Sequence, residues 1–248
     1  MGLTIHYNLR AKTTSGKRAK ELLSQLRQRA LDLPFAEVGE LIELTGPACN
    51  HENHGRDDPL GWLIVQAREF IERPAPGGLR HIYSVPPTHV IAFSTLPGHG
   101  CEEANFGLCR YPATIEVQTE AGPSRRRVAQ KLRTGLSGWR WGSFCKTEYA
   151  SNPECGGPEN FLRCHLLVIR MLDHAKSLGI LDHVSDEGDY WEKRDPKALV
   201  EEVGSWNEVL AAGFGKFKDQ LGYQVEAPIA EFPDFEHLEA RGQEAVHG

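Results

Sequence analysis

The chain has 248 residues, of which 40% are hydrophobic and 25% charged, and its formal net charge at pH 7 is −6. This composition is typical of a globular protein with a core, and it excludes a chain that is disordered throughout. No apolar run is long enough to span a bilayer and no secretory signal is visible, so we expect a soluble, cytoplasmic protein whose six cysteines are reduced.

The first 45 residues have the pattern of a β-α-β unit. Residues 3–9 alternate apolar and polar side chains, which predicts a half-buried strand. Residues 17–33 place apolar side chains at helical spacing, and residues 38–44 predict a second strand. Behind Pro59, residues 60–72 predict a helix.

The middle of the chain is rich in short strands. Residues 82–85 and 90–95 predict two of them, and residues 114–119 and 127–134 predict a hairpin. The segment 96–112 is rich in glycine and proline and too long for a turn, which predicts a functional loop or one held by a staple.

A strand-helix-strand order recurs in the second half, with strands at 139–149 and 181–184 around a helix at 159–178. A last amphipathic helix is predicted at 196–221, and the acidic residues 224–248 are predicted to be a tail without helical or strand period. The predicted fold for residues 1–223 is one α+β or α/β domain. Its predicted architecture is a split β-α-β sandwich, ferredoxin-like in outline, with a central β-rich insert and an internal duplication.

Charge is unevenly distributed along the chain. Between residues 125 and 146 there are seven basic residues and no acidic one, so the rest of the chain carries −13. The seven are Arg125, Arg126, Arg127, Lys131, Arg133, Arg140 and Lys146. This run predicts either an anion-binding surface or an ordinary solvated face.

The turn before the long helix is a candidate anion site. Gly156 and Gly157 open that helix, whose N-terminal N–H groups attract anions. The basic run leads into the preceding strand, so Arg140, Lys146 and Ser151 are candidate substrate-binding residues together with the two glycines. The alternative interpretation is a simple glycine turn next to solvated basic residues.

Carboxylates follow the next strand. Asp186, Glu187 and Asp189 are hard oxygen ligands of the kind that hold Mg²⁺ against a phosphate, and one of them could act as a base. They could instead stabilise the start of the following helix. Phosphoryl chemistry needs cationic groups and a metal or base together. The leading hypothesis is therefore a metal-assisted hydrolase of a phosphate-bearing or other anionic substrate, with both groups opening into one cleft.

Cysteine and histidine suggest two further sites. A thiol enzyme could use Cys145 as nucleophile and His165 as base, although the helical stripe of His165 is more typical of a core histidine. His99, Cys101 and Cys109 lie in the glycine-rich segment and could hold Zn²⁺. Their spacing matches no usual zinc motif, so the metal remains open between Mg²⁺ and Zn²⁺.

The second hypothesis is a non-catalytic module that binds nucleic acid or a partner protein. Trp139, Trp141 and Phe144 interleave with Arg140 and Lys146, and aromatic side chains beside basic ones are typical of single-strand binding. The same pattern fits a strand with one core face and one surface face. No short motif of nucleotide, protease or hydrolase families is present in the sequence.

Overall fold

The architecture described here is that of a computed structural model, which describes residues 3–55, 58–74, 80–121, 126–221, 229 and 232–247. The strands are β1 (Thr4–Ala11), β2 (Glu37–Val38), β3 (Ile42–Thr45), β4 (Glu69–Pro74), β5 (Arg80–Val85), β6 (His89–Phe93), β7 (Thr95–Leu96), β8 (Phe106–Arg110), β9 (Thr114–Ala121), β10 (Arg126–Arg133), β11 (Trp139–Lys146) and β12 (Leu181–Asp186). The helices are α1 (Gly16–Leu31), α2 (Gly61–Gln66), α3 (Gly157–Ser177), α4 (Tyr190–Lys193), α5 (Pro196–Leu221) and α6 (Phe235–His247).

A six-stranded sheet in the order β12-β1-β11-β8-β6-β3 forms the centre of the molecule. Each neighbouring pair of strands in it is antiparallel. The fold is therefore of the mixed α+β class, because helices accompany an antiparallel sheet. Strands β12 and β3 are the edges of this sheet.

The alternation predicted for the first strand is confirmed in β1. Ile5, Tyr7 and Leu9 are buried, whereas His6 and Asn8 between them are exposed. Such alternation leaves one face of the strand for the core and the other for solvent. Helices α1 and α3 pack against the core face.

Helices α1 and α3 contact each other and cover the core. Helix α1 begins behind Ser15, whose side chain accepts a hydrogen bond from the backbone N–H of Arg18, and its apolar stripe is buried from Ala19 to Ala30. Helix α3 ends at Ser177, close to the predicted boundary. Three two-stranded sheets flank this body: β9–β10, β4–β5 and β2–β7.

Two predictions in the middle of the chain are wrong. The helix predicted over residues 60–72 ends at Gln66, and β4 begins at Glu69, where a buried Ile71 between exposed Phe70 and Glu72 gives the period of a strand. The predicted loop 96–112 contains β8. That strand is buried at four of its five residues, so it lacks the alternation by which a half-exposed strand is recognised.

The chain after Tyr223 is more regular than predicted. Helix α6 occupies much of the expected tail and packs along α5. A small apolar cluster joins Ala211 of α5 to Ile229, Phe232 and Leu238. The expectation of a segment without helical period is therefore wrong for residues 235–247.

Among the described residues, none of the helices combines the length and the apolar character needed to cross a membrane.

Candidate functional site

The basic residues predicted to hold an anion are spread along the sheet. Arg140 and Lys146 lie six positions apart on β11, which separates their backbones by about 20 Å. The Lys146 ammonium donates to the Tyr149 hydroxyl at 2.9 Å and lies 3.7 Å from the buried Glu148 carboxylate. Burial raises the pKa of that Glu148 carboxyl. Lys146 is therefore occupied within the protein, and Arg140 is too distant to join it on one small anion.

The turn formed by Gly156 and Gly157 also has a structural role. Gly156 has φ of 109° and Gly157 has φ of 67°, both in the left-handed region that favours glycine, and the Gly157 N–H donates to Asn152 O. Ser151 is buried and accepts a hydrogen bond at 3.0 Å from Asn207 of α5. These contacts tie the turn to α5.

The three carboxylates point to different partners. Asp186 is buried, whereas Glu187 accepts from the backbone N–H of Thr4 and Asp189 pairs with Lys193 on the surface at 2.7 Å. Within the described part of the chain, no group of three or more histidine, cysteine, aspartate or glutamate side chains is arranged to hold a metal ion. The magnesium site predicted from Asp186, Glu187 and Asp189 thus gains no support from the geometry.

The ends of β11 and β12 nevertheless meet, because both strands pair with the start of β1. Between these ends lies His165 of α3. Its Nε2 is 3.1 Å from Asp186 Oδ2 and its Nδ1 is 3.0 Å from Thr147 Oγ1. With a neutral imidazole, Nε2 donates to the carboxylate and Nδ1 accepts from the Thr147 hydroxyl, since a carboxylate can only accept.

This hydroxyl-imidazole-carboxylate arrangement has the order of a nucleophile, its base and an orienting group. All three residues are buried: Thr147 and His165 are 0% exposed and Asp186 is 6% exposed. Phe161 and Tyr190 pack around the imidazole ring, with centroid distances of 5.6 and 6.2 Å. Because a substrate has no route to the hydroxyl, the arrangement serves to join β11, α3 and β12.

The pKa of Asp186 reflects that role. Burial alone would raise it, but hydrogen bonds from His165 and from the backbone N–H groups of Trp191 and Gly188 lower the pKa below its usual range. Asp186 is thus held as a carboxylate inside the protein.

The surroundings of the other cysteine and histidine candidates are also apolar or structural. Cys145 is fully buried and donates to Glu102 O, and burial raises its pKa well above the usual value, which disfavours a nucleophilic thiolate. For the alternative zinc set, Cys109 is a core residue of β8, Cys101 packs against a different apolar cluster, and His99 is exposed. The geometry does not bring these three together as a ligand group.

Part of the basic run faces acidic residues across a hairpin. In the β9–β10 hairpin, Lys131 lies opposite Glu116 and the backbone of Arg127 lies opposite that of Glu120. Arg125 and the side chains of Arg126 and Arg127 lie outside the described residues. The predicted hairpin itself is confirmed.

A different surface collects exposed cationic and aromatic side chains. On the solvent side of β1 and β11, three cross-strand pairs lie in register: His6 with Phe144, Asn8 with Gly142, and Arg10 with Arg140. His183 and Ser185 of β12 continue this face beside Asn8 and His6. We refer to these eight residues as the open face; none of them is a carboxylate.

One end of the open face deepens into a cleft of about 460 Å³ under α2 and β4. Trp62 and Phe70 form its outer wall and are 53% and 56% exposed. The Arg68 guanidinium lies 5.7 Å from the centroid of the Phe70 ring and donates to Val65 O. We refer to this feature as the aromatic cleft.

The floor of the aromatic cleft is fixed by a polar network. Gln66 Oε1 accepts from Asn105 Nδ2 at 2.9 Å and from Ser143 Oγ at 3.1 Å. The backbone carbonyl of Asn105 in turn accepts from the Tyr7 hydroxyl and the Trp141 indole N–H. The described residues that line the cleft include no aspartate or glutamate: His6, Tyr7, Asn8, Trp62, Val65, Gln66, Arg68, Phe70, Gly142, Ser143 and Phe144.

A second groove, of about 630 Å³, lies between α1 and α3. Its side chains are polar and of both charge signs, including Arg29, Asp32, Arg170 and Asp173. Its described lining includes His174 but no tryptophan, tyrosine or phenylalanine, and it mixes acidic with basic side chains.

Sequence reasoning found one residue of the aromatic cleft and one of the open face. It identified Phe144 and Arg140 as candidates for nucleic-acid contact, but the neighbouring Trp139 and Trp141 are core residues with at most 1% exposure. It missed Trp62, Arg68 and Phe70. The sequence feature that could have indicated them is two large aromatic residues near an arginine, within a segment predicted to be one helix.

No family model, no curated protein and no solved structure matches the chain significantly.

Proposed function

We propose that the protein is a non-catalytic module that binds single-stranded nucleic acid in the aromatic cleft and along the open face. The observation that carries this proposal is the combination of exposed aromatic rings and an arginine in a cleft whose described lining has no carboxylate. Single-strand binding proteins use such aromatic side chains for stacking and cationic groups for the backbone.

Electrostatics support the choice of this surface. The chain carries a formal charge of −6, so its net charge repels a polyanion. The open face combines Arg10 and Arg140 with two histidines and lacks an acidic residue, and Arg68 adds a cation at the cleft. A phosphate backbone would therefore be attracted to this face in preference to the rest of the molecule.

Size and rigidity support a base as the occupant of the aromatic cleft. Its volume of about 460 Å³ lies within the range of small-molecule sites. The hydrogen bonds of Gln66, Ser143 and Asn105 fix the polar floor before any ligand arrives, which reduces the entropy lost on binding. The exposed rings of Trp62 and Phe70 supply faces on which a base can stack.

The architecture is compatible with this use. We infer that β12-β1-β11-β8, with α1 leaving β1 and α3 joining β11 to β12, is a split β-α-β arrangement, ferredoxin-like in outline. The two strand-helix connections support the predicted duplication. In this arrangement the central strands β1 and β11 carry the open face.

Binding of labelled single-stranded RNA and DNA oligonucleotides, measured by fluorescence anisotropy at several salt concentrations, tests the proposal. We expect Trp62→Ala to weaken binding about 5- to 150-fold, the range that corresponds to loss of one stacked base. Arg68→Ala should weaken binding and reduce the slope of log K against log salt by about 0.7. Arg29→Ala, in the groove between α1 and α3, is the matched control and should leave the Kd unchanged.

Equal Kd values for Trp62→Ala and Arg29→Ala would overturn the proposal. So would failure of the wild-type protein to bind either oligonucleotide at low salt. A circular-dichroism melt of each variant separates a lost contact from a lost fold.

A further inference from the structure

We propose that Arg10 and Arg140 together bind one phosphate at the end of the open face remote from the aromatic cleft, so that the ligand is an oligonucleotide rather than a mononucleotide. We refer to these two side chains as the phosphate clamp. The phosphate clamp rests on the proposed function, because the strand that places a base in the cleft must continue along the open face to reach it. It adds a second contact site and a minimum length for that strand.

The two arginines face each other across the sheet. Arg10 of β1 and Arg140 of β11 are register partners, so their Cβ atoms lie about 5 Å apart on one face. Like charges in such a pair destabilise a sheet, and an anion bound between them would remove the repulsion. Arg10 is exposed and Arg140 is half-buried, so a ligand has direct access to the pair.

Within the described chain, no acidic side chain neutralises the phosphate clamp. Neither guanidinium takes part in an ion pair or a hydrogen bond with a described residue. On its other side, Arg140 lies opposite Cys109 of β8. Asp182, at the register shift of β12, is exposed and forms no ion pair with either arginine. Lys12, just beyond β1, is exposed and adds a positive charge at this end of the strand.

The strand register fixes the distance between the phosphate clamp and the aromatic cleft. Arg10 is four positions from His6 and Arg140 is four positions from Phe144, and both His6 and Phe144 line the cleft. At the rise of a β-strand, four positions span about 13 Å. With a spacing of about 3.4 Å per stacked nucleotide, this distance corresponds to about four nucleotides.

The passage between the two sites is open to a strand. Asn8 and Gly142 are the register pair between them, and Gly142 has no side chain to obstruct a ligand. A Cβ at Gly142 would lie 3.0 Å from Asn8 Oδ1, so the Asn8 amide lies beside this position. At the cleft end, the centroids of the His6 and Phe144 rings are 5.8 Å apart. A strand can therefore leave the cleft over these rings, pass Asn8 and place a phosphate between two guanidinium groups, whose N–H donors match phosphate oxygens.

Calorimetric titration at low salt with unlabelled oligouridylates, from the mononucleotide to about eight nucleotides, tests the phosphate clamp. We expect the affinity to rise up to about four nucleotides and then to level off. Arg140→Gln should weaken binding of the longest oligonucleotide about tenfold and leave binding of the dinucleotide unchanged. Trp62→Ala should weaken both, because both place a base in the cleft. Arg18→Gln removes a surface ion pair with Glu21 on α1 and is the matched control, which should change neither.

A double variant tests whether the two arginines share one phosphate. If they do, Arg10→Gln should cost little further affinity in a protein that already carries Arg140→Gln, because the contacts of the two side chains depend on each other. Independent losses that multiply would overturn the phosphate clamp. A thermal melt of each variant shows whether the fold is retained.

The same titrations separate failure of the phosphate clamp from failure of the proposed function. Binding of the longest oligonucleotide that depends on Trp62 but not on Arg140, or an affinity already maximal for the mononucleotide, would overturn the clamp alone. Absence of binding at every length would overturn both. Inorganic phosphate is the remaining probe, and Arg140-dependent binding of it as tight as that of the longest oligonucleotide would overturn the assignment to a strand.

Discussion

At the scale of single residues, Asp186 is a carboxylate held by hydrogen bonds from a side chain and from the backbone. It is buried, and it accepts hydrogen bonds from His165 and from the backbone N–H groups of Gly188 and Trp191. A Cβ added at Gly188 would be 2.4 Å from Leu199 Cδ1, so a larger residue there would displace the Leu199 side chain. The turn after β12 is therefore closed over the carboxylate.

Replacement of this carboxylate should cost stability in a pH-dependent way. We expect Asp186→Asn to lower the free energy of unfolding at neutral pH by about 2–3 kcal/mol, because hydrogen bonds to a buried charge are lost. The folded-state pKa of Asp186 is depressed, so its contribution is present above the unfolded-state pKa and is lost as pH falls through the folded-state pKa. The difference between wild type and variant should therefore shrink on acidification.

Urea denaturation at a series of pH values between about 7 and 3 measures this difference. Asp173→Asn is the control, because Asp173 pairs with Arg194 on the surface and its loss should cost less than about 1 kcal/mol. A difference for Asp186→Asn that stays constant across the series would show that Asp186 is not the ionised group.

At the scale of elements, two glycines allow the effect of side-chain packing to be distinguished from that of helix propensity. Gly107 of β8 lies under the Trp141 ring, where an added Cβ would meet ring atoms at 2.5 Å. Gly204 of α5 has nothing within 4 Å of such a Cβ. The same substitution should therefore have opposite effects at the two positions.

We expect Gly107→Ala to destabilise the protein by about 1–3 kcal/mol, because the buried indole must shift. Gly204→Ala should stabilise it by about 0.5–1 kcal/mol through helix propensity. Thermal melting of both variants measures the effects. Equal shifts of Tm would mean that Trp141 can move aside without cost.

The elements also show which secondary structure can be predicted from sequence patterns alone. Strand β1 and helix α1 were predictable because each is half-buried, and a half-buried element carries its period in its sequence. Strand β8 was not predictable, since burial on both faces leaves a run of apolar residues without alternation. The change from helix to strand at Arg68 was hidden because Trp62 and Phe70 fit the spacing of one long helix.

At the scale of the whole molecule, the C-terminal segment belongs to the folded body. Phe232 is 4% exposed and packs with Ile229, Leu238 and Ala211 of α5. We expect Phe232→Ala to lower the free energy of unfolding by about 3–5 kcal/mol, as for other buried aromatic residues.

The control for this prediction is Arg241→Ala. It removes the surface ion pair with Glu208 on α5 and should change stability by less than about 1 kcal/mol. Chemical denaturation followed by far-ultraviolet circular dichroism gives both values. A Phe232→Ala protein as stable as Arg241→Ala would support the predicted independent tail instead.

The candidate site was only partly predictable at this scale, because it depends on which strands become neighbours. Charge and spacing identified Arg140 and Phe144, but their partners Arg10 and His6 are at least 130 positions away in the sequence. They join them only through the register of β1 with β11. Asp186 was predicted to face the basic residues of β11 across a cleft. In the structure the His165 side chain lies there and contacts Asp186. Long-range register therefore decides which of the sequence candidates can meet a ligand.

The irregular pairing of β12 makes this edge strand less suitable for pairing with a strand of another chain. A regular edge strand presents a row of unpaired backbone groups that another chain can extend into a continuous sheet. In β12 the register with β1 shifts between Asn8 and Leu9, and Asp182 and His183 are exposed near this shift. The kink and the charge make that border a poor template for aggregation, and the opposite border, β3, is only four residues long. An added strand would thus find only a short or an interrupted row of backbone partners along either border of the central sheet.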